Sequence, residues 1–165
     1  MTYSEYQSPI GLLTLVATDA GLRHVSWPGQ SPDDKGERLP DHPVLAQATT
    51  ELDEYFAGRR RAFDVPLDPD GTAFQRSAWD VLRTIPYGRT ISYAEQARRL
   101  GDSAKARAVG AANGRNPISI IVPCHRVVGS SGALTGFAGG LGTKSWLLEF
   151  ERGVVEGGSG DAATT

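Results

Sequence analysis

The sequence predicts an α+β protein made of two parts, a small sheet-plus-helix part over residues 1–70 and a mostly helical part over residues 71–153. Apolar residues near the N-terminus alternate with a period of two, and later ones recur at helical spacing. Hydrophobic residues make up 39% of the chain and charged residues 22%, as in ordinary globular proteins. No apolar run approaches the roughly 18 to 20 residues of a spanning helix, and the start lacks the pattern of a signal peptide. We therefore expect a cytoplasmic protein with no membrane partner.

The first part is predicted to contain strands followed by one helix. One strand face would carry Leu13, Leu15 and Ala17, and the other Leu12, Thr14 and Val16. The turn Asp19-Ala20-Gly21 would lead into a further strand over residues 22–27. After a polar loop, Asp41 would cap a helix that Gly58 ends. The run over residues 66–71, rich in proline and aspartate, has the composition of a linker.

Two short helices of the second part form a candidate helix-turn-helix. Ser92 would cap a helix over residues 93–100, with Glu95 as its partner in a capping box. After a glycine-containing turn, Ser103 would cap a second helix over residues 104–113. Such a pair in DNA-binding proteins lays its second helix on the duplex, although any helical protein can contain one.

Three further segments complete the second part, and a tail follows it. Thr72 would cap a helix that precedes the pair. Residues 118–122 are apolar and predict a short buried strand, and residues 144–151 predict a last amphipathic helix. Residues 154–165, composed largely of small and polar side chains, are expected to be a disordered tail.

Charge is unevenly distributed along the chain, although the net value is only −2. Residues 1–70 carry 6 lysines and arginines against 12 aspartates and glutamates, whereas residues 71–153 carry 11 against 5. A basic second part fits a polyanion such as DNA, while a solvated basic surface without a ligand is the commoner reason for such a bias.

The segment Pro123-Cys124-His125-Arg126 carries the chemistry that the sequence offers. Cys124 is the single cysteine, so an internal disulfide and a thiolate metal cluster are both excluded. A nearby base such as His125 can take the thiol proton, while Arg126 or a helix N-terminus favours the thiolate. The alternative is a plain buried thiol next to a surface histidine, because adjacency in sequence does not establish a hydrogen bond between two side chains.

The motifs together resemble those of the O6-alkylguanine-DNA alkyltransferases, also called methylated-DNA--protein-cysteine methyltransferases. The resemblance is strong over residues 72–153 and rests on four motifs: Ala106-Arg107-Ala108-Val109-Gly110, Asn116-Pro117, Pro123-Cys124-His125-Arg126-Val127 and the run from Thr135 to Gly140. The first part is similar to the family's N-terminal domain through Ser8-Pro9-Ile10-Gly11 and Tyr55-Phe56-Ala57-Gly58. This resemblance implies an RNase H-like first domain and a helix-turn-helix in the second.

The resemblance also implies a reaction, in which the protein moves an alkyl group from O6 of guanine, or O4 of thymine, irreversibly to its own Cys124. His125 would take the thiol proton through a water, and Glu151 would orient and stabilise His125. Tyr93 would donate a proton to the leaving base, which becomes anionic otherwise. Asn116 would tie the second helix of the pair to the cysteine turn.

The partner implied by the resemblance is double-stranded DNA, contacted through Ser92, Tyr93, Ala106 and Arg107. O6 lies in the paired edge of guanine, so the nucleotide has to leave the stack, and Arg107 would fill the vacated space. The resemblance implies a monomer, while the sequence leaves the oligomeric state and cooperative binding on DNA open.

The substrate pocket implied by the resemblance contains Val127, Phe137, Ala138 and Gly139. Many relatives have Tyr and Ser where this chain has Phe137 and Ala138, so an aromatic wall remains without its hydroxyl, and the backbone N–H of Ala138 can still bind O6. The small residues suggest room for alkyl groups larger than methyl. We expect no cofactor and no metal, because the ligands of the zinc site found in some relatives are missing.

Three other functions compete with this interpretation. Alkyltransferase-like proteins bind alkylated bases without repairing them, but they lack the cysteine that stands here as Cys124. A transcriptional regulator could use the helix pair, although the chain has no additional metal-binding sensor domain. A cysteine hydrolase would give Arg107 and the helix pair no purpose.

Overall fold

The computed structural model describes residues 1–157, and the chain divides into two units. The first unit is Met1–Asp70 together with Pro117–Ser119. The second unit is Gly71–Asn116 together with the chain from Ile120 onward. The segment over residues 117–119 thus belongs to the first unit, because Ile118 forms a bridge with Val25 and the backbone N–H of Val25 donates to Pro117.

The first unit is built on a four-stranded sheet. Its strands are β1 (Thr2–Ser8), β2 (Gly11–Ala17), β3 (Leu22–Ser26) and β4 (Glu37–Arg38), in the order β3-β2-β1-β4. β2 pairs antiparallel with both β1 and β3, which confirms the strands predicted around residues 12–17 and 22–27. Strand β4 was not predicted, since its two residues are exposed and polar and show no apolar alternation.

One helix, α1 (Pro43–Phe56), packs on this sheet through an apolar face. The predicted cap was wrong: His42, not Asp41, is the N-cap, and its Nδ1 accepts from the backbone N–H of Val44 at 3.3 Å. Pro43 explains the shift, because proline is favoured in the first turn of a helix and fixes where that turn begins. Gly58 follows the helix end in a left-handed conformation, with φ at +76°, as predicted.

The described part of the second unit contains four α-helices and one short parallel ladder. The helices are α2 (Ala73–Leu82), α3 (Tyr93–Arg99), α4 (Ala106–Gly114) and α5 (Leu141–Gly157), and the ladder joins β5 (Ile91–Ser92) to β6 (Val127–Val128). Thr72 caps α2 as predicted, in a capping box with Gln75. The described part of the chain has no helix long and apolar enough to cross a membrane.

The consecutive helices α3 and α4 contact each other and meet through a buried pair of amides, in which Gln96 and Asn113 donate to one another at 3.0 and 2.8 Å. Ser92 caps α3 as predicted, but Glu95 binds Arg98 and Arg99 instead of closing a capping box.

The cap predicted for the second helix of the pair was wrong. Asp102 accepts from the backbone N–H of Ala104, so it caps a 3-10 turn over Ser103–Lys105 that leads into α4. Ser103 lies inside that turn, because the aspartate one residue earlier already satisfies the free backbone N–H.

Two further predictions were wrong. Residues 118–122 do not form a strand, because only Ile118 pairs and Ile120 adopts a left-handed φ of +74° in a turn. The predicted tail begins too early, since α5 continues to Gly157 and residues 154–157 are helical. The rest of the predicted tail lies outside the described residues.

Candidate active site

The cysteine lies in a 3-10 turn, Cys124–Arg126, that runs directly into β6. Because β6 pairs with β5, the turn is anchored beside the start of α3, where Tyr93 lies. Asn116 fixes the approach to the turn, since its Nδ2 donates to the carbonyl of Val122 at 2.8 Å. Cys124 itself is only 7% exposed.

Burial raises the pKa of the Cys124 thiol, because a thiolate loses its hydration in the interior. A hydrogen bond from Asn116 and the positive charge of Lys144 act in the opposite direction. Two groups of the second unit therefore stabilise the thiolate that a nucleophilic reaction requires.

His125 and Arg126 both bind one buried carboxylate, that of Glu151. His125 Nε2 lies 2.7 Å from Glu151 Oε2. Arg126 donates from Nε to Oε1 at 2.9 Å and from Nη2 to Oε2 at 3.0 Å. Burial opposes the charged carboxylate, yet His125 and Arg126 together hold the pKa of Glu151 well below its usual value.

The histidine is a neutral base in this arrangement. Burial lowers the pKa of His125, and the nearby Glu151 only partly offsets that effect. An ionised carboxylate can only accept, so the proton of the neutral ring is on Nε2 and Nδ1 carries the lone pair. Among the described residues Nδ1 has no hydrogen-bond partner, although it is buried. It is therefore available to accept a proton.

Arg126 does not have the role that the sequence suggested for it as a cation beside the thiolate. Its guanidinium is bound to Glu151, and its Nη1 donates to the carbonyl of Ile85 at 2.9 Å. The cation that interacts with Cys124 is Lys144, which sequence reasoning missed.

Lys144 is a fully buried residue on α5. Its Nζ donates to the carbonyl of Thr135 at 2.8 Å and lies 5.9 Å from the centre of the Tyr93 ring. Burial lowers the pKa of Lys144, and the interaction with Cys124 raises it. The spacing carries a signal, because Lys144, Leu147 and Glu151 are three and four residues apart and so share one helix face. Two charged residues on a buried face are unusual and indicate a site.

A cleft of about 530 Å³ opens beside this cluster in the second unit. Its walls are Tyr93, Ala106, Arg107, Gly110, Gly114, Thr135, Gly136 and Phe137. The cleft thus brings together three of the residues predicted to contact DNA and one predicted for the substrate pocket.

The remaining predicted residues lie elsewhere. Ser92 caps α3, and Val127 is buried in β6. Ala138 and Gly139 follow Phe137 in the chain but do not belong to the cleft walls, and neither does Cys124. No group of three or more His, Cys, Asp or Glu side chains in residues 1–157 is arranged to hold a metal ion.

Fold and site together define a class of protein: an α+β protein in which a buried cysteine is followed by a histidine held by a carboxylate. Two family models match the chain, the ribonuclease-like domain of 6-O-methylguanine DNA methyltransferase over residues 1–69 and its DNA binding domain over residues 73–153. The chain belongs to the methylated-DNA--protein-cysteine methyltransferase family, as the sequence resemblance predicted.

Relatives with known names and structures agree over almost the whole chain. A methylated-DNA--protein-cysteine methyltransferase of Methanosarcina acetivorans is 46% identical, with 92% of this chain and 98% of the relative covered. One from Mycolicibacterium paratuberculosis is 48% identical, over 91% and 92% of the two chains. A crystal structure of Mycobacterium tuberculosis OGT in complex with DNA has 46% identity and a TM-score of 0.86, with 93% of this chain and 94% of that chain covered. The predicted fold class, a small sheet domain followed by a mostly helical one, is confirmed.

Proposed function

We propose that this protein repairs DNA directly, by moving an alkyl group from O6 of guanine to Sγ of its own Cys124. The observation that carries the proposal is the buried Cys124 followed by His125, whose ring is bound to Glu151 at 2.7 Å. A bond forms between Sγ and the alkyl carbon while the bond from that carbon to O6 breaks. The product is a thioether, which has no leaving group that water displaces readily, so each chain reacts once.

The thiol proton goes to His125 in this proposal. Nδ1 is the acceptor, and a water would link it to Sγ, while Glu151 holds the ring through Nε2. The imidazolium that forms is stabilised by the adjacent carboxylate, which is already ionised because Arg126 binds both of its oxygens.

The leaving guanine takes a proton from the hydroxyl of Tyr93. Without that proton the base would leave as an anion, which is costly away from water. Tyr93 belongs to the cleft wall together with Phe137, and the backbone N–H of Ala138 would bind O6. Val127 and Gly139 complete the proposed pocket, and O4-alkylthymine is a second substrate of the same chemistry.

The nucleotide is proposed to leave the duplex before it reacts, because O6 lies in the paired edge. α4 would lie against the DNA, where the small Ala106 and Gly110 permit close approach and Arg107 fills the space left by the base. Ser92, which fixes the start of α3, and Tyr93 would lie at the same surface. We propose that the protein is a monomer. We also propose that it acts in the cytoplasm, since a reactive single thiol needs a reducing compartment.

A duplex carrying an isotopically labelled methyl group on guanine O6 tests this proposal. Mixed with the protein in equal amounts, it should add the mass of one methyl group per chain, and peptide mapping should place the label on Cys124. Cys124→Ser is the control variant, which should bind the duplex but gain no mass. Label on another residue, or sustained turnover with excess DNA, would contradict the mechanism.

A further inference from the structure

Thr135 contacts two groups of the active site, although it is an exposed residue in the stretch of chain between β6 and α5. Its carbonyl accepts from Lys144 Nζ at 2.8 Å and from the Tyr93 hydroxyl at 3.3 Å. Its Oγ1 donates to the Tyr93 hydroxyl oxygen at 3.1 Å. Thr135 thus forms hydrogen bonds with both Tyr93 and Lys144.

We propose that Thr135 is a positioning residue of the transfer reaction, whose hydroxyl makes Tyr93 a better proton donor to the leaving base. The inference rests on the proposed function, because it assigns a role to a neighbour of the proposed donor. It concerns the side chain of Thr135, and not only the backbone carbonyl that any residue would supply.

The phenol of Tyr93 carries a single proton, which can go to only one acceptor at a time. In the unbound site the Tyr93 hydroxyl can donate to the Thr135 carbonyl while it accepts from Thr135 Oγ1. When a base lies in the cleft, the phenol proton passes to that base and the electron pair stays on the Tyr93 oxygen. The hydrogen bond from Thr135 Oγ1 then stabilises the oxygen as negative charge develops on it, which favours proton release.

The carbonyl of Thr135 has a second effect, through Lys144. It holds the ammonium group in place, and that group interacts electrostatically with Cys124. The ammonium also lies 5.9 Å from the centre of the Tyr93 ring. Thr135 therefore orients two groups. Lys144 acts on the nucleophile, and Tyr93 acts on the leaving base.

Substitution of the Thr135 side chain tests its hydroxyl, because the backbone carbonyl of the residue stays in place. Thr135→Val keeps the size and shape of threonine and removes only the donor, whereas Thr135→Ser keeps the donor. Loss of one hydrogen bond of ordinary strength should slow the single-turnover transfer by roughly 3- to 10-fold. Thr135→Ser should react like the wild type, and so should Ser131→Ala, which removes an exposed hydroxyl from the same loop.

The decisive measurement is a double-mutant cycle with Tyr93→Phe. If Thr135 acts through the phenol, Thr135→Val should slow transfer in the wild-type background and have almost no effect in Tyr93→Phe. The dissociation constant for alkylated duplex should be unchanged. An equal slowing in both backgrounds, or no slowing in the wild type, would overturn the inference.

A second substrate provides an independent test of the same step. An alkylated purine made electron-poor leaves more readily as an anion, so the effect of Thr135→Val should shrink with it, as the effect of Tyr93→Phe should. Thr135→Ala gives the same comparison if the valine variant melts at a lower temperature than the wild type. A constant penalty on both substrates would contradict a role in proton donation.

The two proposals fail in different ways. If the wild-type chain gains no alkyl group on Cys124, the proposed function is wrong. If the wild type gains the group at the same rate as Thr135→Val, only the role of Thr135 is wrong.

Discussion

Arg126 binds both oxygens of the Glu151 carboxylate, at 2.9 and 3.0 Å, and both side chains are almost completely buried. The same carboxylate accepts from His125 and from the backbone N–H of Gly88. Glu151 thus joins the end of α5 to the cysteine turn and keeps its charge in the interior.

Glu151→Gln should lower the free energy of unfolding by about 3 to 5 kcal/mol, because the substitution leaves the Arg126 guanidinium buried without a counter-charge. Denaturation by urea measures the change. Arg98→Ala is the matched control, since it breaks an ion pair with Glu95 in which the Arg98 side chain is 67% exposed, and such pairs contribute at most about 1 kcal/mol. Equal effects of the two substitutions would show that burial of the Glu151 pair is unimportant.

Stability should fall as the pH falls below 6.5. Burial holds the pKa of His125 in the folded chain below its ordinary value of 6.5, so below that pH the unfolded chain binds a proton that the folded chain does not. Glu151 adds a further loss below 4.5, because its folded-state pKa also lies below its ordinary value. The free energy of unfolding, measured across this range, should therefore decrease with acid.

His125→Asn should reduce the part of this dependence that lies between pH 6.5 and 4.5. His42→Asn is the control, because it removes a histidine at the start of α1, in the first unit, and asparagine also caps helices well. A His125→Asn variant with an unchanged pH dependence would mean that His125 is not the group responsible.

Lys144→Met should slow alkyl transfer near neutral pH. Removing the cation raises the pKa of the Cys124 thiol, so a smaller fraction of the cysteine is present as the reactive thiolate. The rate should recover as the pH is raised, which a purely structural defect would not produce. Lys144→Arg keeps the charge and serves as the control, and an unchanged pH profile in Lys144→Met would argue against thiolate stabilisation.

Arg107→Ala should slow repair of duplex DNA more than reaction with the free alkylguanine base. Only the duplex requires the nucleotide to leave the stack, and Arg107 is the residue proposed to fill its place. Both reactions can be followed as mass gain on Cys124. Arg115→Ala, a basic residue just beyond α4, is the control for charge alone. Equal losses on duplex and free base would assign Arg107 another role.

Local chemistry made part of this structure predictable. Thr72 and Ser92 were recognised as helix caps because a capping side chain bonds to backbone within three residues, so the signal is contained in the sequence. The same reasoning failed at Asp41, where a histidine followed by proline also provides an acceptor. A different prediction, the strand over residues 118–122, was wrong because an apolar run indicates burial equally well in a strand and in a turn.

The site was predictable where one motif carries it, and less so where it depends on distant residues. Cys124 and His125 are adjacent, and the family resemblance pointed to Glu151. Lys144 and the bonds of Thr135 were missed, because hydrogen bonds between residues nine and forty-two apart depend on how α5 and the preceding loop pack. The roles of the predicted residues in transfer remain predictions that the experiments above test.

Alkylation of Cys124 should destabilise the second unit. Cys124 is only 7% exposed, so an added methyl or benzyl group has to find space in a close-packed region, and overpacking typically costs about 1 to 3 kcal/mol. The thioether is also a weaker acceptor for Asn116, which links the approach to the turn with the end of α4. Each kcal/mol should lower the melting temperature by roughly 2 to 4 °C.

Melting curves of unmodified, methylated and benzylated protein measure the effect, with protein exposed to unalkylated duplex as the control. Equal midpoints for all three forms would show that the pocket accepts the group without strain.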